Sequence, residues 1–257
     1  LAVDKDTMRF VVHKDIDDQL RANADSNFRL DSDATAFVTN QLLLKRDIDW
    51  AATYFKAGVW GTDYTGVGAS PTGNQFLQWN LSTSDPISQL ATLQIDFIQE
   101  TGFKANTMVV GANVLKALKN HPGIIDRIKY TQKGIVQTDL LSTLFDVERI
   151  LVSYATVASG PQVPDAAAQD AAASYGFICN PNGVLLCYTP SSPSIMQPAA
   201  GYTFTWNGYL NGNAQGIRMS RFRQEAIRSD RIEGEMTYDM RAISTDVGVF
   251  LANAVAG

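Results

Sequence analysis

The sequence predicts an α+β fold, because helical and strand-like segments occupy different parts of the chain. Between residues 31 and 57 apolar side chains recur at steps close to three and four, which is the spacing of one helix face. These side chains are Phe37, Leu44, Ile48, Ala51 and Phe55. A second helix with capping residues follows at 84–102. From Tyr175 onward the pattern is mostly that of β-strands, and the sequence contains no internal repeat.

The first helix is predicted to be long. It extends over residues 31–57, and Asp31, Ser32 or Asp33 can cap its N-terminus. Gly58 suits the left-handed conformation that often follows the last turn of a helix. At 1.5 Å per residue, such a helix measures about 35–40 Å.

Two segments on either side of this helix lack the pattern of a core. Residues 1–30 alternate weakly and carry many charges, which predicts an extended ribbon with little core of its own. Residues 58–83 contain five glycines between and around Trp60 and Trp79, which predicts a long loop that contacts another chain or moves.

The second helix has stronger boundary signals than the first. Ser84 or Asp85 can cap its N-terminus, and Pro86 falls in the first turn, where its missing N–H costs nothing. Gly102 follows the last helical residue. A helix between these residues is therefore expected.

The rest of the chain alternates shorter elements. The pattern predicts a strand at Thr107–Val110, helices at 113–120 and 124–130 with a break at His121-Pro122, a helix at "TDLLSTLF", and strands at "ERILVSYA", "GYTFTW", "GIRMSRFRQEAI" and "DRIEGEMTYDMRAIS". Residues 158–174, rich in Ala, Pro and Gln, predict a surface excursion. The stretch "YGFICNPNGVLLCYT" predicts a β-hairpin around the turn "NPNG".

Composition indicates an ordinary globular protein. The chain has 257 residues, 45% hydrophobic and 18% charged, with a formal net charge of −5. This balance argues against a basic surface for nucleic acid or for an anionic membrane. No apolar stretch is long enough to span a bilayer, and no signal peptide is recognisable. Two cysteines, Cys179 and Cys187, are expected to be buried and reduced.

Sequence motifs for enzymatic chemistry are missing. Gly111 stands alone where a dinucleotide fingerprint needs three glycines, so a plain strand-to-helix turn is expected there. The tripeptide Gly-Lys-Ser/Thr of a phosphate loop and the G-x-S-x-G elbow do not occur. Of the two histidines, His13 lies in the charged ribbon and His121 lies at a helix C-terminus. The chain is therefore predicted not to be an enzyme, with no catalytic residue and no bound cofactor.

Acidic residues do not form a recognisable metal site. The segment "DSDATAFVTNQL" begins like a calcium loop, but it has Ala36 at the sixth position and Leu42 at the twelfth. "DIDD" at 15–18 offers carboxylate oxygens, yet a charged ribbon that is solvated or lies between subunits explains it better. No metal is therefore predicted.

The last β region mixes both signs of charge. Its arginines are Arg218, Arg221, Arg223, Arg228, Arg231 and Arg241, and its acids are Glu225, Asp230, Glu233, Glu235 and Asp239. Interleaved charges make a poor track for phosphates. They predict ion pairs across strands or between subunits.

Several stretches, taken in order, resemble one family. "DATAFVTNQLLLKRDIDWAATYFKAGVWG" (33–61) resembles the spine-helix segment of tailed-bacteriophage major capsid proteins with the Hong Kong 97 capsid fold. "WNLSTSDPISQL" and "TGFKANTMVVGANVLKALKNHPGIIDRIKY" are similar to the peripheral-domain stretch of that family. "DLLSTLFDVERILVSYA" and "DMRAISTDVGVFLANAV" continue the match in the same order. The resemblance covers most of the chain.

The resemblance implies a division of the chain into capsid domains. Residues 1–30 resemble part of the extended E-loop, and the N-terminal arm that precedes it in the family is expected to be absent from this sequence. Residues 31–130 are assigned to the peripheral domain with its spine helix, and residues 131–205, approximately, to the axial domain. Residues 206–257 are expected to return to the peripheral-domain sheet.

The resemblance also implies a function. Many copies are expected to form hexamers and pentamers of an icosahedral shell around double-stranded DNA, without sequence-specific binding. Further expected partners are a portal and scaffolding or decoration proteins. The expected location is the virion head, assembled in the bacterial host cytoplasm without a membrane. The alternative is an encapsulin-like nanocompartment shell, which has the same fold and encloses cargo protein.

The charged residues of the E-loop segment are the predicted contacts with neighbouring subunits. They are Arg9, Lys14, Asp15, Asp17 and Asp18. If they pair across the subunit boundary, reversing the charge of Asp17 and Asp18 together impairs assembly while the monomer stays folded.

Overall fold

A computed structural model describes residues 8–25, 28–128, 137–158, 174–194, 196–206, 208 and 216–256. The described helices are α1 (Asp18–Asn23), α2 (Leu30–Tyr54), α3 (Pro86–Thr101), α4 (Ala112–Asn120), α5 (Pro122–Ile128) and α6 (Thr138–Leu144). The described strands are β1 (Met8–Asp17), β2 (Thr62–Val67), β3 (Gln75–Leu77), β4 (Thr107–Gly111), β5 (Arg149–Ser153), β6 (Thr156–Ala158), β7 (Tyr175–Phe177), β8 (Val184–Cys187), β9 (Gly201–Thr205), β10 (Ile217–Gln224), β11 (Ser229–Ala242) and β12 (Gly248–Ala252).

Contacts along the chain divide it into two compact units. The first comprises Leu1–Asp49 with Tyr202–Arg241, and the second comprises Trp50–Gly201 with Ala242–Gly257. The division into segments 1–30, 31–130, 131–205 and 206–257 stays a prediction. However, strand β4 from the second of these segments and strands β5 and β8 from the third lie in one sheet.

The first unit contains a four-stranded sheet with the order β1-β11-β10, in which β9 also pairs with β11. β1 is antiparallel to β11 over its whole length. Two small clusters form the core between this sheet and α2. One contains Val38, Leu42, Ile217, Met236 and Tyr238, and the other contains Ile16, Ala34 and Ile232. Within the predicted ribbon, residues 8–17 form the extended strand β1, which contributes the buried Ile16 to this core, whereas residues 18–23 form the helix α1.

The predicted long helix is present as α2, with 25 residues and a length of about 37 Å. It begins at Leu30, so Asp31 and Asp33 lie in its first turn and not at the capping position. There their negative charge still favours the helix dipole. The helix ends at Tyr54, and Gly58 has the expected positive φ of 82° a few residues later.

The second unit contains a six-stranded mixed sheet with the order β3-β2-β12-β8-β4-β5. β12 is parallel to β2 and antiparallel to β8, while β4 is antiparallel to β8 and parallel to β5. Every residue of β4 and of β8 is buried. One continuous apolar cluster surrounds this sheet, and its largest buried side chains include Trp79, Phe97 and Phe250.

Local signals predicted several elements of this unit correctly. α3 begins after Asp85, whose carboxylate accepts hydrogen bonds from the N–H groups of Ile87 and Ser88, and it ends at Gly102 with φ of 74°. The strand at 107, the helix that follows it and the break at His121 are also confirmed. The end of the helix predicted at 124–130 and most of the excursion at 158–174 lie outside the described residues.

Two predictions for this unit were wrong. The loop predicted at 58–83 contains β2 and β3, and β2 pairs with β12 near the other end of the sequence. The predicted hairpin at 175–189 does not form, because β7 pairs with β6 whereas β8 pairs with β4 and β12. The turn "NPNG" therefore connects strands of two different sheets.

Candidate functional site

Three of the five predicted contact residues are paired within their own chain. The carboxylate of Asp15 accepts hydrogen bonds of 2.7 and 2.9 Å from the Arg231 guanidinium. Asp18 accepts a bond of 2.6 Å from Arg223 Nη2, and Arg9 donates to Glu235. These partners lie on β10 and β11, so the ion pairs connect β1 and α1 to the other strands of the four-stranded sheet.

The other two predicted residues have local contacts. Asp17 is the N-cap of α1, and its carboxylate accepts from the Gln19 N–H at 3.3 Å. The Lys14 ammonium lies 6.0 Å from the centre of the Phe37 ring. The assignment of all five residues to contacts between subunits stays a prediction.

The ion pairs of this unit join into a network centred on Asp230. Its carboxylate accepts hydrogen bonds from Arg221 at 2.8 Å and from Arg21 at 3.1 Å. Both arginines also donate to Asp31 at the start of α2. Hydrogen bonds from Arg221 and Arg21 lower the pKa of Asp230 and of Asp31, respectively. The interleaved charges thus form the cross-strand ion pairs that the sequence predicted, with additional acids from α1 and α2.

The Gly111 turn is occupied by the chain's own carbonyl groups. The amides of Asn113 and Val114 at the N-terminus of α4 donate to the Pro181 carbonyl at 3.1 and 3.3 Å. A Cβ atom at Gly111 would lie 2.3 Å from the same oxygen. Glycine is therefore required by the close approach of two backbone segments, as the predicted strand-to-helix turn implies, and these amides are not free for a phosphate.

A buried serine and histidine lie together in a way that the sequence did not reveal. His121 Nε2 is 3.2 Å from Ser84 Oγ, although the two residues come from different loops. The Gly123 N–H donates to Nδ1 of His121, which assigns the ring proton to Nε2. Nε2 is then a donor toward Ser84, while the serine hydroxyl donates to the Leu81 carbonyl at 2.7 Å. In this arrangement the histidine donates to the serine and does not accept its proton.

The two cysteines are buried free thiols, as predicted. Burial raises the pKa of Cys187 to about 12. The described part of the chain contains no group of three or more His, Cys, Asp or Glu side chains able to hold a metal ion. Within the same residues, no helix is both long enough and apolar enough to cross a membrane.

Solved structures with a similar fold include a phage-related protein, a phage capsid and an encapsulin. A phage-related protein from Bordetella bronchiseptica aligns over 96% of this chain and 76% of its own, with a TM-score of 0.77 and 20% identity. The capsid of Cyanophage P-SCSP1u aligns over 96% and 72%, with a TM-score of 0.56 and 11% identity. An encapsulin complex from Synechococcus elongatus aligns over 97% and 75%, with a TM-score of 0.56 and 6% identity. These likenesses confirm the predicted α+β capsid fold of the Hong Kong 97 type.

Sequence similarity points to phages among the proteins with this fold. The major capsid protein of Burkholderia phage BcepMu is 44% identical to this chain over 75 residues. The match spans 29% of this chain and 24% of the phage protein. No family model matches the sequence. The predicted resemblance to bacteriophage major capsid proteins is therefore confirmed.

Proposed function

We propose that this protein is the major capsid protein of a tailed bacteriophage. Many copies associate into hexamers and pentamers and form an icosahedral shell around double-stranded DNA. The observation that carries the proposal is the 44% identity over 75 residues to a phage major capsid protein, in a chain of which 96% aligns with a phage capsid structure. The shell holds DNA by enclosure, since a net charge of −5 does not favour binding of phosphates.

The proposed role is structural and not enzymatic. The hydrogen bonds of His121 and the occupied amides after Gly111 support this role, because both sites that could suggest chemistry are satisfied internally. The subunit needs no cofactor. Its partners are neighbouring capsid subunits, a portal, and scaffolding or decoration proteins. It belongs to the virion head and assembles in the cytoplasm of the bacterial host.

An encapsulin-like shell is the second candidate. Its support is the alignment with an encapsulin structure, whose TM-score equals that of the cyanophage capsid. The fold alone therefore does not separate a genome container from a cargo container. The sequence match to a phage protein favours the first.

We further propose an assignment of the two units to the domains of the capsid fold. The first unit contains most of α2 and the four-stranded sheet, which are the features of a peripheral domain. The second unit then corresponds to the axial domain. Under this assignment, the axial domain begins well before residue 131 and includes β4, so the boundaries predicted from the sequence shift.

The E-loop contacts stay part of the proposal in a narrower form. Asp18 and Asp17 have roles inside the subunit, so reversing both charges affects α1 as well as any contact with a neighbour. Lys14 is exposed and forms no ion pair among the described residues, so its charge is available to a neighbouring subunit. The Lys14→Glu variant is accordingly the better test of an E-loop contact.

The decisive experiment is electron microscopy of the purified assembly, with nuclease-protected DNA measured in the same fractions. Icosahedral shells with protected DNA are expected. Uniform shells that contain protein cargo and no DNA would favour the encapsulin alternative. Small oligomers alone, from the full-length gene under assembly conditions, would contradict both.

A further inference from the structure

The guanidinium group of Arg149 is held in place by two hydroxyl groups. Arg149 is the first residue of β5, and its Nε donates to Thr107 Oγ1 at 3.1 Å. Its Nη2 donates to Thr189 Oγ1 at 2.8 Å. Two bonds through different nitrogens fix both the position and the plane of the guanidinium.

The hydroxyl groups are themselves fixed by Asn106. Its Oδ1 accepts from the Thr107 hydroxyl at 3.1 Å, and from the Thr189 backbone and hydroxyl at 2.9 and 3.3 Å. The Asn106 amide donates in return to the Thr189 carbonyl at 2.7 Å. The two hydroxyl oxygens also lie 2.9 Å apart, so each hydroxyl proton goes to Asn106 or to the other threonine, and each oxygen keeps a lone pair that accepts from Arg149. Thr107 is 96% buried, so this support is part of the folded core.

No carboxylate within the described residues compensates the charge of Arg149, which forms no ion pair there. A guanidinium has five N–H groups, and the two threonines use two of them. The remaining N–H groups have no acceptor in the described part of the chain, so they can bind a planar acceptor. Because the Arg149 side chain is already held in one conformation, it loses little conformational entropy when a partner binds.

The surroundings of Arg149 are open to a partner. β5 is an edge strand among the described strands, paired only with β4. Leu151 lies on the same side of β5 as Arg149, by the alternation of a strand, and is 49% exposed. Arginine is one of the residues enriched in interaction hot spots, and the exposed Leu151 beside it adds apolar surface that a partner can bury.

We infer that Arg149 and Leu151 form a contact with a second copy of this chain, in which a carboxylate of the neighbour binds the Arg149 guanidinium. The inference rests on the proposed shell function and names one of its contacts. A carboxylate is favoured over a DNA phosphate because Lys104, Asp146 and Glu148 make the neighbourhood mixed in charge. The chain also carries 26 acidic against 21 basic residues, so acids are in excess on its copies.

The first test compares assembly of Arg149→Glu with that of the parent and of Lys119→Glu. Lys119 is an exposed cation of the same unit, on α4, so its variant makes the same change of charge elsewhere. Sedimentation velocity and electron microscopy measure the assembled fraction, and circular dichroism confirms the fold of each subunit. We expect Arg149→Glu to raise the protein concentration needed for half-assembly about tenfold or more, and Lys119→Glu to leave it unchanged.

The second test identifies the partner directly. Arg149→Lys places an amine at this position, which a carbodiimide couples to a carboxylate in contact with it. Shells are assembled from equal amounts of ¹⁴N- and ¹⁵N-labelled chains, and mass spectrometry maps the coupled peptides. A peptide of mixed isotope content that joins position 149 to an Asp or Glu is expected.

The outcomes separate the inference from the function on which it rests. If the parent forms shells and Arg149→Glu assembles normally, or position 149 couples only within its own chain, the inference is wrong and the shell function stands. Normal shells that protect less DNA would assign Arg149 to a phosphate and also contradict it. If the parent itself forms no shells or capsomers, both proposals fail.

Discussion

The four-stranded and the six-stranded sheets are stabilised by different forces. In the six-stranded sheet, β4 and β8 are buried on both faces within one continuous apolar cluster. In the four-stranded sheet, β10 is mostly exposed, two small clusters supply the core, and a network of aspartates and arginines joins the strands to α1 and α2. Apolar burial is insensitive to pH and mild salt, whereas exposed ion pairs respond to both. Cavities in the core should therefore destabilise the unit with the six-stranded sheet most, whereas acid should act first on the unit with the four-stranded sheet.

The largest effect is expected from a cavity in the six-stranded sheet. Phe250 of β12 is 2% exposed and packs edge-to-face against Phe55 with 5.2 Å between ring centres. Phe250→Ala should lower the free energy of unfolding by about 3–5 kcal/mol, because it removes a buried ring and leaves a void. Urea denaturation of the unassembled subunit measures this loss. The control is Phe177→Ala, since Phe177 is 42% exposed, and an equal loss there would contradict the contrast.

A pair of glycines provides a second, smaller comparison. A Cβ at Gly111 would lie 2.3 Å from the Pro181 carbonyl oxygen, and backbone cannot easily move. A Cβ at Gly234 of β11 would lie 2.5 Å from Val38 Cγ1, which belongs to a side chain that can adjust. Gly111→Ala should cost about 2–3 kcal/mol and Gly234→Ala about 1–2 kcal/mol by thermal denaturation. A larger loss for Gly234→Ala than for Gly111→Ala would show that the four-stranded sheet is the more rigidly packed of the two.

Acid provides the most selective, though smallest, perturbation. Arginine partners lower the pKa of Asp15, Asp18, Asp31 and Asp230 below the ordinary value of 3.8. A lowered pKa contributes stability that is fully present above the unfolded value and is lost as the pH falls through the folded value. Below about pH 4, protection against hydrogen exchange, measured relative to the intrinsic rate at the same pH, should therefore fall in β1, β10 and β11 before it falls in β4 and β8. Asp230→Asn should reduce this difference, and earlier exchange in β4 or β8 would contradict it.

Elements with local signals were predictable from the sequence. The capping carboxylate of Asp85, the proline after it and Gly102 define α3 without reference to any other part of the chain. The same is true of the turn at Gly111, although the reason for the glycine, the Pro181 carbonyl, lies about 70 residues away. The resemblance to capsid proteins supplied the fold, which composition and periodicity alone left at the level of α+β.

Pairings between distant residues were not predictable. Turn residues at "NPNG" suggested a hairpin, because local rules cannot tell that β8 finds its partners in β4 and β12. Charge interleaving suggested ion pairs, but it could not assign Arg223 to Asp18, which is 205 positions away. Arg149 was missed for the same reason. Its significance depends on Thr107 and Thr189, which only the folded sheet brings together.

The place of β12 in its sheet has a consequence for protein synthesis. This strand lies between β2 and β8, so the six-stranded sheet cannot be completed until the ribosome has translated residues 248–252. About 180 residues separate β2 from β12, which at about 5–20 residues per second corresponds to roughly 10–35 s. During that interval the nascent chain displays apolar strands without their central partner, so molecular chaperones have time to bind it. A subunit made in many copies on neighbouring ribosomes therefore cannot adopt its finished form before residues 248–252 have been translated.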